Sequence, residues 1–495
     1  MNIPLILRTV KHLKLTQVIY QIKNRLIKPA YKAYDASGFK IQVSGFRVEP
    51  IAKYTCLKRN VFNFLNLKHK FAGWEFTENG MLWAYNQNYF DWINQEGITA
   101  EEGCKWVDQF IAEVKGGFPM DPYPIALRSI NWVKFFCRFP EAATKTRLDS
   151  LYSQIRLLEK RLEYHLLGNH LLEDAYALYF VGSWLKVNDS WFEKAKRLLL
   201  SQLEEQILPD GAHYEQSPMY HCILLDRLLD CINMSQSTNE TGYINCLKLY
   251  AGRMLGHLES IVWRDGDILM ANDAAHGIAP KPAEIFEYAK RLGIKWNAIP
   301  LRECGYRKLQ NEHLEAVVDV GNITATYQPG HSHADTFNYE LRIDGKPFVI
   351  DTGISTYNKT ERRQLERSTV AHNCVSVDGK NSSEVWGGFR VGRRCHAEIT
   401  EIVANRISVK HDGFSKPCER TFSLKEGVLV VEDMFDGEAV SYIHLAEGAD
   451  ENRITVEGAI KIETRPWEYS TEYNQFHAGK VMEIHFNGNL RYSIR

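Results

Sequence analysis

The chain lacks the composition of a nucleic-acid-binding or disulfide-stapled protein. Its 60 lysines and arginines balance 61 aspartates and glutamates, so an anionic partner would need a local basic patch, and no nucleic acid partner is expected. The ten cysteines are scattered without a Cys-x-x-Cys pair, which argues against a zinc knuckle or a disulfide framework and favours a reducing compartment. No repeat of fixed period and no low-complexity linker is visible.

Long hydrophobic runs are also missing. No stretch approaches the roughly 20 apolar residues of a transmembrane helix, and the apolar run before Arg8 is too short for a secretory signal. These absences favour a cytoplasmic location and leave periplasmic or cell-envelope association open. Residues 9–32 instead form a basic amphipathic segment, which we expect to dock as a helix on its own domain. Binding to a membrane surface or an anionic partner is the alternative.

Apolar and aromatic side chains are plentiful, and their spacing changes along the chain. At 495 residues and 44% apolar content, the chain exceeds one core and predicts two compact domains. From about residue 75 to 300, apolar residues recur every three and four positions, which indicates successive helices. The predicted helices include Trp106–Val114, Ile125–Phe136, Leu148–Leu167, Leu171–Leu185, Trp191–Ile207 and Tyr220–Ile232. Such helices suit a bundle or an α/α toroid, and we predict a toroid (an incomplete barrel) over residues 1–305, with an aromatic-lined groove.

After residue 305 the apolar period becomes two, which is typical of strands. Strands are predicted at 316–320, 324–327, 339–343 and 348–350, with further runs at 374–377, 397–409 and 427–432. Turns between strands are predicted at Asp344-Gly345, Asp378-Gly379 and Asp436-Gly437. Residues 306–495 are therefore predicted to form an antiparallel β-sandwich.

The first group of residues with chemical potential lies at the head of a predicted helix. Asn169, His170 and Glu173 can share one helix face because they are spaced at i, i+1 and i+4. An amide and an imidazole steadied by a carboxylate would make a clamp for a developing oxyanion. The alternative is a helix start with Asn169 as the N-cap and Glu173 in the first turn.

The second group is the segment 210–221, which holds two tyrosines, two histidines and Glu215 within twelve residues. Tyr220 could exchange a proton with a sugar if neighbouring cations lower its pKa. An aromatic platform for sugars and simple helix capping are the alternatives for this segment.

The third group is rich in histidine. His331 and His333 are expected on an extended strand, where residues at i and i+2 would divide between a catalytic role in a cleft and a metal site inside the β-domain. His333, Asp351 and His372 lie on successive predicted strands or their ends, and two histidines with one carboxylate suit Zn²⁺. Taken alone, each histidine is better explained by a structural hydrogen bond than by a ligand role.

Together these motifs resemble the heparinase II/III-like polysaccharide lyases, a superfamily that also includes alginate and oligoalginate lyases. The resemblance covers most of the chain and depends on the order of the motifs. The chain carries Asn169-His170-x-x-Glu173, Asp210-Gly211-x-x-x-Glu215-x-Ser217-x-x-Tyr220-His221, His331-x-His333-x-Asp335, Asp351-x-Gly353 and Ala371-His372-Asn373.

The resemblance implies β-elimination at a uronic acid. It implies that Asn169 and His170 neutralise the substrate carboxylate, with Glu173 as support, and that Tyr220 protonates the leaving oxygen and, for some epimers, removes the C5 proton. His331 is implied as the base or as an aid to Tyr220. The implied ligands of a structural zinc ion are His333, Asp351 and His372.

The polymer itself is left open between glycosaminoglycan, alginate and a bacterial exopolysaccharide, as are exo or endo action and the oligomeric state. Candidate substrate-binding residues are Arg128, Asn131, Trp132, Glu215, Arg363 and Arg367, chosen mainly because arginine can bind carboxylate and sulfate bidentately. Two other functions remain. A toroidal glycoside hydrolase would need an acidic pair such as Glu173 and Glu215, and a non-catalytic polysaccharide-binding or assembly protein would keep the fold alone.

Overall fold

The computed structural model describes residues 3–41, 45–235 and 240–495. Its N-terminal region is helical and its C-terminal region is an antiparallel sheet, which confirms the predicted fold class. The helices of the first region are α1 Ile3–Val10, α2 Leu15–Leu26, α3 Met81–Tyr89, α4 Ala100–Glu113, α5 Pro122–Arg138, α6 Lys145–Lys160, α7 Gly168–Trp184, α8 Ser190–Gln206, α9 Pro218–Ser235, α10 Thr241–Ile261 and α11 Pro282–Arg291. Among the residues described, none of the helices is both long and apolar enough to cross a bilayer.

Helices α5 to α10 alternate between an inner and an outer layer. The inner helices α5, α7 and α9 contact one another in that order and are buried along nearly their whole length. The outer helices α6, α8 and α10 bury one face and expose the other, as expected for amphipathic sequences. This alternation is the arrangement of an incomplete α/α toroid, and it places the buried helix α7 at its centre.

A small three-stranded sheet precedes the toroid and was not predicted. It consists of β1 Leu57–Lys58, β2 Val61–Phe64 and β3 Leu67–Lys70, paired antiparallel. Phe62 and Phe64 point to the same face of β2, because side chains alternate along a strand. Their rings pack against Trp92 and Trp83 at centroid distances of 5.0 and 5.3 Å, so the sheet belongs to the core of the helical region.

The C-terminal region is an eleven-stranded antiparallel sheet with a separate β-ribbon and one short helix, α12 Glu361–Glu366. Its strands are β4 Tyr306–Gln310, β5 Leu314–Asp319, β6 Tyr339–Ile343, β7 Lys346–Val349, β8 Val375–Ser376, β11 Ala397–Val403, β12 Arg406–His411, β13 Cys418–Lys425, β14 Val428–Leu445, β15 Ile454–Tyr469 and β16 His477–Ile494; the ribbon is β9 Val385–Trp386 and β10 Arg390–Val391. Tyr339 on β6 packs against Phe422 on β13 although these strands are not neighbours in the sheet, so the sheet folds over a shared core as in a sandwich.

Long β14 connects the two layers of this sandwich, because it pairs with β13, β16, β8 and β7 along its length. The predicted turn at Asp436-Gly437 is wrong, since these residues form a bulge inside β14. The predicted turn at Asp344-Gly345 is confirmed. Both residues have positive φ, 50° and 76°, and they join β6 to β7.

Three further segments differ from the prediction. Residues 324–327 form a loop in place of a strand, because Thr324 bonds to Gln216 and Tyr214 of the helical region and not to a strand. The run 397–409 is two strands, β11 and β12. The helix predicted to reach Leu167 ends at Lys160, seven residues before the turn into α7.

Candidate active site

The start of α7 carries the first predicted motif. Leu167 and Gly168 have positive φ, 62° and 60°, and a Cβ on Gly168 would lie 2.5 Å from Glu215 Oε1, so this position requires glycine. The resulting sharp entry into α7 directs Asn169 inward. Glu215 accepts hydrogen bonds from the backbone N–H of Asn169 (2.8 Å) and from its side-chain amide (2.9 Å). Asn169 is therefore not the N-cap, a position that Leu167 occupies.

His331 and His333 lie in the loop between β5 and β6, so the expectation of an extended strand is wrong. The two rings are also not divided between separate sites, because both bond to one carboxylate. His331 Nδ1 lies 2.8 Å from Asp273 Oδ2, and His333 Nε2 lies 2.8 Å from Asp273 Oδ1. Asp273 lies in the helical region, in the loop after α10, whereas both histidines lie in the β-region. Its hydrogen bonds to them therefore connect the two regions of the protein.

Asp273 is fully buried and holds four charge-assisted hydrogen bonds. Besides the two histidines, Arg363 donates to both carboxylate oxygens at 2.5 and 2.7 Å. Burial alone would raise the pKa of Asp273, but the Arg363 guanidinium and the bonds from His331 and His333 hold it well below its usual range. Asp273 is thus an ionised anchor for both imidazoles.

The contacts of His331 determine which ring nitrogen can act as a base. Ionised Asp273 can only accept a hydrogen bond, so the proton of the neutral ring resides on Nδ1. The opposite nitrogen, Nε2, lies 3.3 Å from the side-chain amide nitrogen of Asn169 and 3.4 Å from Glu215 Oε2. Nε2 therefore keeps a lone pair, and Glu215 can stabilise the imidazolium that forms when Nε2 takes up a proton.

Tyr220, in the first turn of α9, packs against His331 with ring centroids 4.0 Å apart and ring planes tilted by 34°. Its hydroxyl lies 3.4 Å from that of Tyr357, which lies 3.3 Å from His331 Nδ1. Burial raises the pKa of Tyr220, and the hydrogen bond from Tyr357 and the charge of Arg363 oppose this only in part. The condition under which cations lower the pKa of Tyr220 is not met, because burial outweighs them and favours the protonated hydroxyl.

His170 is the residue of α7 that is not buried, and it lines a cavity of about 370 Å³. Its Nδ1 lies 3.0 Å from Glu163 Oε2, and the ring of Tyr123 lies 4.6 Å away between centroids. Burial alone would lower the pKa of His170, but Glu163 raises it above the ordinary value. The structure therefore favours an imidazolium that faces the cavity.

Glu173 does not support the Asn169–His170 pair as expected. It is fully buried, and neither carboxylate oxygen has a hydrogen-bond partner among the described residues. Glu215 bonds to Asn169 and Glu163 bonds to His170 in its place. The reason is geometric, because the first residues of α7 turn toward the β-region whereas Glu173 points into the toroid core.

The acidic pair proposed for a glycoside hydrolase is contradicted by the same burial. Glu173 reaches only Arg227, whose Nε lies 3.6 Å from its Oε2, and burial raises the pKa of Glu173 to about 7. Glu215 is buried against Asn169. Neither carboxylate can flank a glycosidic bond, as a hydrolase requires.

The candidate sugar-binding residues of the toroid are part of its core. Arg128 is fully buried and donates to Gln154 Oε1 at 2.7 Å, and Trp132 packs against Phe110 with no exposed surface. Asn131 is also buried, and its side-chain amide donates to the backbone carbonyl of Tyr89 at 2.9 Å. The assignment of these three residues to substrate contact is therefore wrong, since the inner position of α5 removes them from solvent.

The remaining sugar-binding candidates hold the catalytic loop. Arg363 is fully buried against Asp273, and Arg367 donates to the backbone carbonyl of Ser332 at 2.7 Å. Glu215 is committed to Asn169. None of these side chains has free surface for a sugar, so the structure corrects their assignment to substrate contact and gives them positioning roles.

The residues predicted to bind zinc are buried and adjacent. Asp351 Oδ2 accepts a hydrogen bond from His372 Nδ1 at 2.8 Å, and the rings of His333 and His372 lie 5.2 Å apart between centroids. His333 Nδ1 and His372 Nε2 are buried without a hydrogen-bond partner in the described part of the chain. Unpartnered imidazole nitrogens beside a carboxylate fit a metal chemically.

The ligand atoms of this trio do not, however, all lie within 4.8 Å of one another. Within the described ranges, groups that meet that distance are Asp210–His257–Cys304 and Glu463–Glu483–His485. The predicted zinc site therefore stays a prediction.

Asp273, Tyr357 and Glu163 were missed by the sequence analysis. All three lie outside helices and strands, where no periodic pattern indicates which way a side chain points. The only sequence signal for the central carboxylate, Asp273, was the polar pair Asn272-Asp273 after a long helix, and this signal is weak. The function of a polar loop residue depends on which distant parts of the chain it contacts, and the sequence does not show these contacts.

The fold and the site together define a two-domain protein, an α/α toroid followed by a β-sandwich, with a tyrosine, a histidine and an asparagine gathered between the domains. The Heparinase II/III N-terminus family matches residues 125–247, and the Heparinase II/III-like, C-terminal family matches residues 294–452. These matches cover more than half of the chain, which belongs to the heparinase II/III-like superfamily.

Individual relatives are more distant. A heparin-sulfate lyase of Pedobacter heparinus is 26% identical over 245 residues, which are 43% of this chain and 36% of that protein. The crystal structure of a heparinase III superposes with a TM-score of 0.64 at 14% identity, covering 97% of this chain and 88% of the other. A mutant heparan sulfate lyase from Pedobacter heparinus superposes with a TM-score of 0.58 at 16% identity, covering 97% and 87%. These superpositions show a shared fold.

Proposed function

We propose that the protein is a polysaccharide lyase that cleaves a uronic-acid-containing polysaccharide by β-elimination. The observation that carries the proposal is the packing of Tyr220 against His331, which brings a protonated hydroxyl and an imidazole from different domains to one partly exposed site. The side-chain amide of Asn169 lies beside the imidazole. Membership of the superfamily supports the same class of reaction.

The first requirement of the reaction is to make the C5 proton acidic. In a uronate, the adjacent carboxylate must be neutralised before the carbanion, or enolate, can form. His170 as an imidazolium and Asn169 as an amide donor supply positive and hydrogen-bonding groups, and donors fixed in advance of the reaction stabilise such a charge most effectively. Glu163 orients His170 and Glu215 orients Asn169 through hydrogen bonds.

The second requirement is to move two protons. His331 Nε2 takes the proton from C5, and the C5–H electron pair forms the C4–C5 double bond. The C4–O4 bond breaks, and the leaving oxygen takes the hydroxyl proton of Tyr220. The raised pKa of Tyr220 favours this donor role, whereas a tyrosine base would need a lowered pKa. Proton exchange with solvent then restores both side chains.

The polymer is an anionic polysaccharide. Lys28, Arg161 and His165 line the cavity next to His170, and they offer cationic or hydrogen-bonding groups to carboxylate or sulfate. The relative that acts on heparin sulfate makes this polymer the first to test, followed by other glycosaminoglycans, alginate and bacterial exopolysaccharides. A structural zinc ion held by His333, Asp351 and His372 is part of the proposal, and it would steady the loop that carries His331 without taking part in a step.

The test is an absorbance assay for the unsaturated uronate, run on that panel with mass spectrometry of the products. Tyr220→Phe should lower kcat by roughly 10²–10⁴-fold, the usual contribution of a general acid, and leave folding intact. Tyr243→Phe is the matched control, because its hydroxyl only donates to the backbone carbonyl of Lys196 on a neighbouring helix. Wild-type activity in Tyr220→Phe would refute the assigned role.

The products of this assay distinguish a lyase from the two other candidate functions. Fragments that gain water without the absorbance band would indicate a hydrolase. Retention of polymer without any product would favour a non-catalytic binding or assembly protein.

A further inference from the structure

Helices α1 and α2 expose an apolar surface to solvent. Nine of the 18 exposed large hydrophobic side chains among the described residues lie between positions 3 and 27. This N-terminal apolar surface consists of Ile3, Leu7, Val10, Leu15, Val18, Ile19, Ile22, Leu26 and Ile27. An apolar concentration of this kind on a protein surface marks a site of interaction.

The two helices dock on the rest of the protein, as the sequence predicts, and much of this attachment is made by polar side chains. Gln17 is the buried residue of α2, and its side-chain amide donates to the backbone carbonyls of Leu166 (3.1 Å) and Tyr327 (3.2 Å). Arg8 forms a bidentate ion pair with Glu384 at 2.7 Å. These contacts reach both the helical and the β-region, and the packing of Tyr20 on Tyr164 adds to them, whereas nine large apolar side chains of the segment stay exposed.

The charge of this segment is entirely positive. Residues 3–34 contain no aspartate or glutamate. Its exposed side chains Lys11, Lys23, Arg25, Lys28 and Lys32 have no carboxylate within 4.0 Å in the described ranges. Free cations beside exposed apolar side chains are the composition of helices that lie in the interface of an anionic bilayer.

We propose that the N-terminal apolar surface binds an anionic lipid bilayer, with α1 and α2 lying in its interface. A second copy of the chain is a poorer occupant, because two identical faces would bring like charges together. The bilayer accepts the apolar side chains into its acyl boundary and pairs the lysines with anionic headgroups. This proposal is independent of the proposed enzymatic activity.

Membrane binding would place the cleft at the bilayer surface. Asn24 on α2 bonds to His165, and Asn24, Ile27 and Lys28 line the same cavity as His170. The segment proposed to contact lipid therefore also lines the cavity beside His170. A polymer presented at a membrane surface would reach the cleft directly.

The test measures co-sedimentation of the full chain with vesicles of phosphatidylcholine alone and with about 30% phosphatidylglycerol. Wild type should bind the anionic vesicles, and added salt should weaken binding because it screens the lysines. The triple variant Ile19→Ser, Ile22→Ser, Leu26→Ser should lower the partition coefficient roughly tenfold or more. Thermal melting confirms that the variant is folded.

The matched control changes three exposed apolar residues elsewhere. Leu249→Ser, Ile402→Ser, Ile460→Ser removes side chains of similar exposure and should bind vesicles like wild type. No binding by wild type, or equal loss in both triple variants, would overturn the proposal. A wild-type dimer that dissociates in the Ile19, Ile22, Leu26 variant without any vesicle binding would overturn it in favour of self-association.

Discussion

Asp273→Asn is the most informative single change, because one carboxylate serves both domains. The substitution keeps the size of the side chain and removes its charge. In the native protein, the two carboxylate oxygens of Asp273 accept four hydrogen bonds, from Arg363, His331 and His333. An asparagine retains one acceptor oxygen, and its NH₂ group would face donors.

The expected loss of stability follows from the burial of Arg363. Its guanidinium has no exposed surface and would lose its carboxylate partner, and removing one member of a buried ion pair costs about 3–5 kcal/mol. This is a large part of the roughly 5–15 kcal/mol that stabilises a typical protein. Denaturant unfolding of the purified variant measures the change.

The expected loss of activity has a different cause. Without an ionised acceptor, the proton of His331 is no longer held on Nδ1, so Nε2 loses its role as the base. Replacing the carboxylate behind a catalytic histidine by an amide costs about 10⁴-fold in kcat in serine proteases, and we expect a loss of that order here. The absorbance assay for unsaturated uronate measures it.

A matched variant separates stability from catalysis. Asp433 is paired bidentately with Arg420 at 2.5 and 2.8 Å in the β-domain, and both side chains are fully buried. Asp433→Asn should therefore destabilise the protein to a similar extent and keep most of the kcat of the folded fraction. Equal kcat values for folded Asp273→Asn and folded Asp433→Asn would refute the assignment of Asp273 as the positioning carboxylate of His331.

Two further predictions concern pH and metal. Glu163 raises the pKa of His170, so activity that needs the imidazolium is present below that raised pKa and is lost as pH rises through it. Glu163→Gln should therefore move the alkaline limb of the kcat/KM profile to lower pH. An alkaline limb that does not move would contradict the role of His170. If His333, Asp351 and His372 hold a structural zinc ion, purified protein should contain about one zinc per chain by elemental analysis. His333→Ala should then lower zinc content and Tm together, whereas metal-free wild type of normal Tm would remove the zinc proposal.

The fold class was predictable because apolar periodicity reports which face of an element is buried. The periods of three to four and of two correctly separated the helical region from the β-region, and Asp344-Gly345 located a turn because its backbone needs positive φ at both residues. The segment 324–327 was mistaken for a strand because its alternating residues bond across to the helical region. A local pattern cannot reveal such a partner.

The contact between the central residues of the candidate site was predictable, whereas the roles predicted for the peripheral residues were wrong. Tyr220 and His331 meet as the order of motifs suggested, whereas Arg128 and Arg363 were assigned to sugar because arginine suits anions. In the structure, burial decides the role of both arginines. Burial of a charged side chain depends on contacts distant in sequence, which no spacing rule encodes.

The site also explains why the two domains must be docked for the residues to work together. Tyr220 and Asp273 come from the helical region, and His331 comes from the β-region. Gln216 secures the same junction by donating to the backbone carbonyl of Asn322 at 3.0 Å. Because both the base and the acid depend on partners across this junction, a loss of docking would separate them before either domain unfolds. The buried charges of Asp273, Arg363 and His331 thus belong to the contact that holds the two regions together.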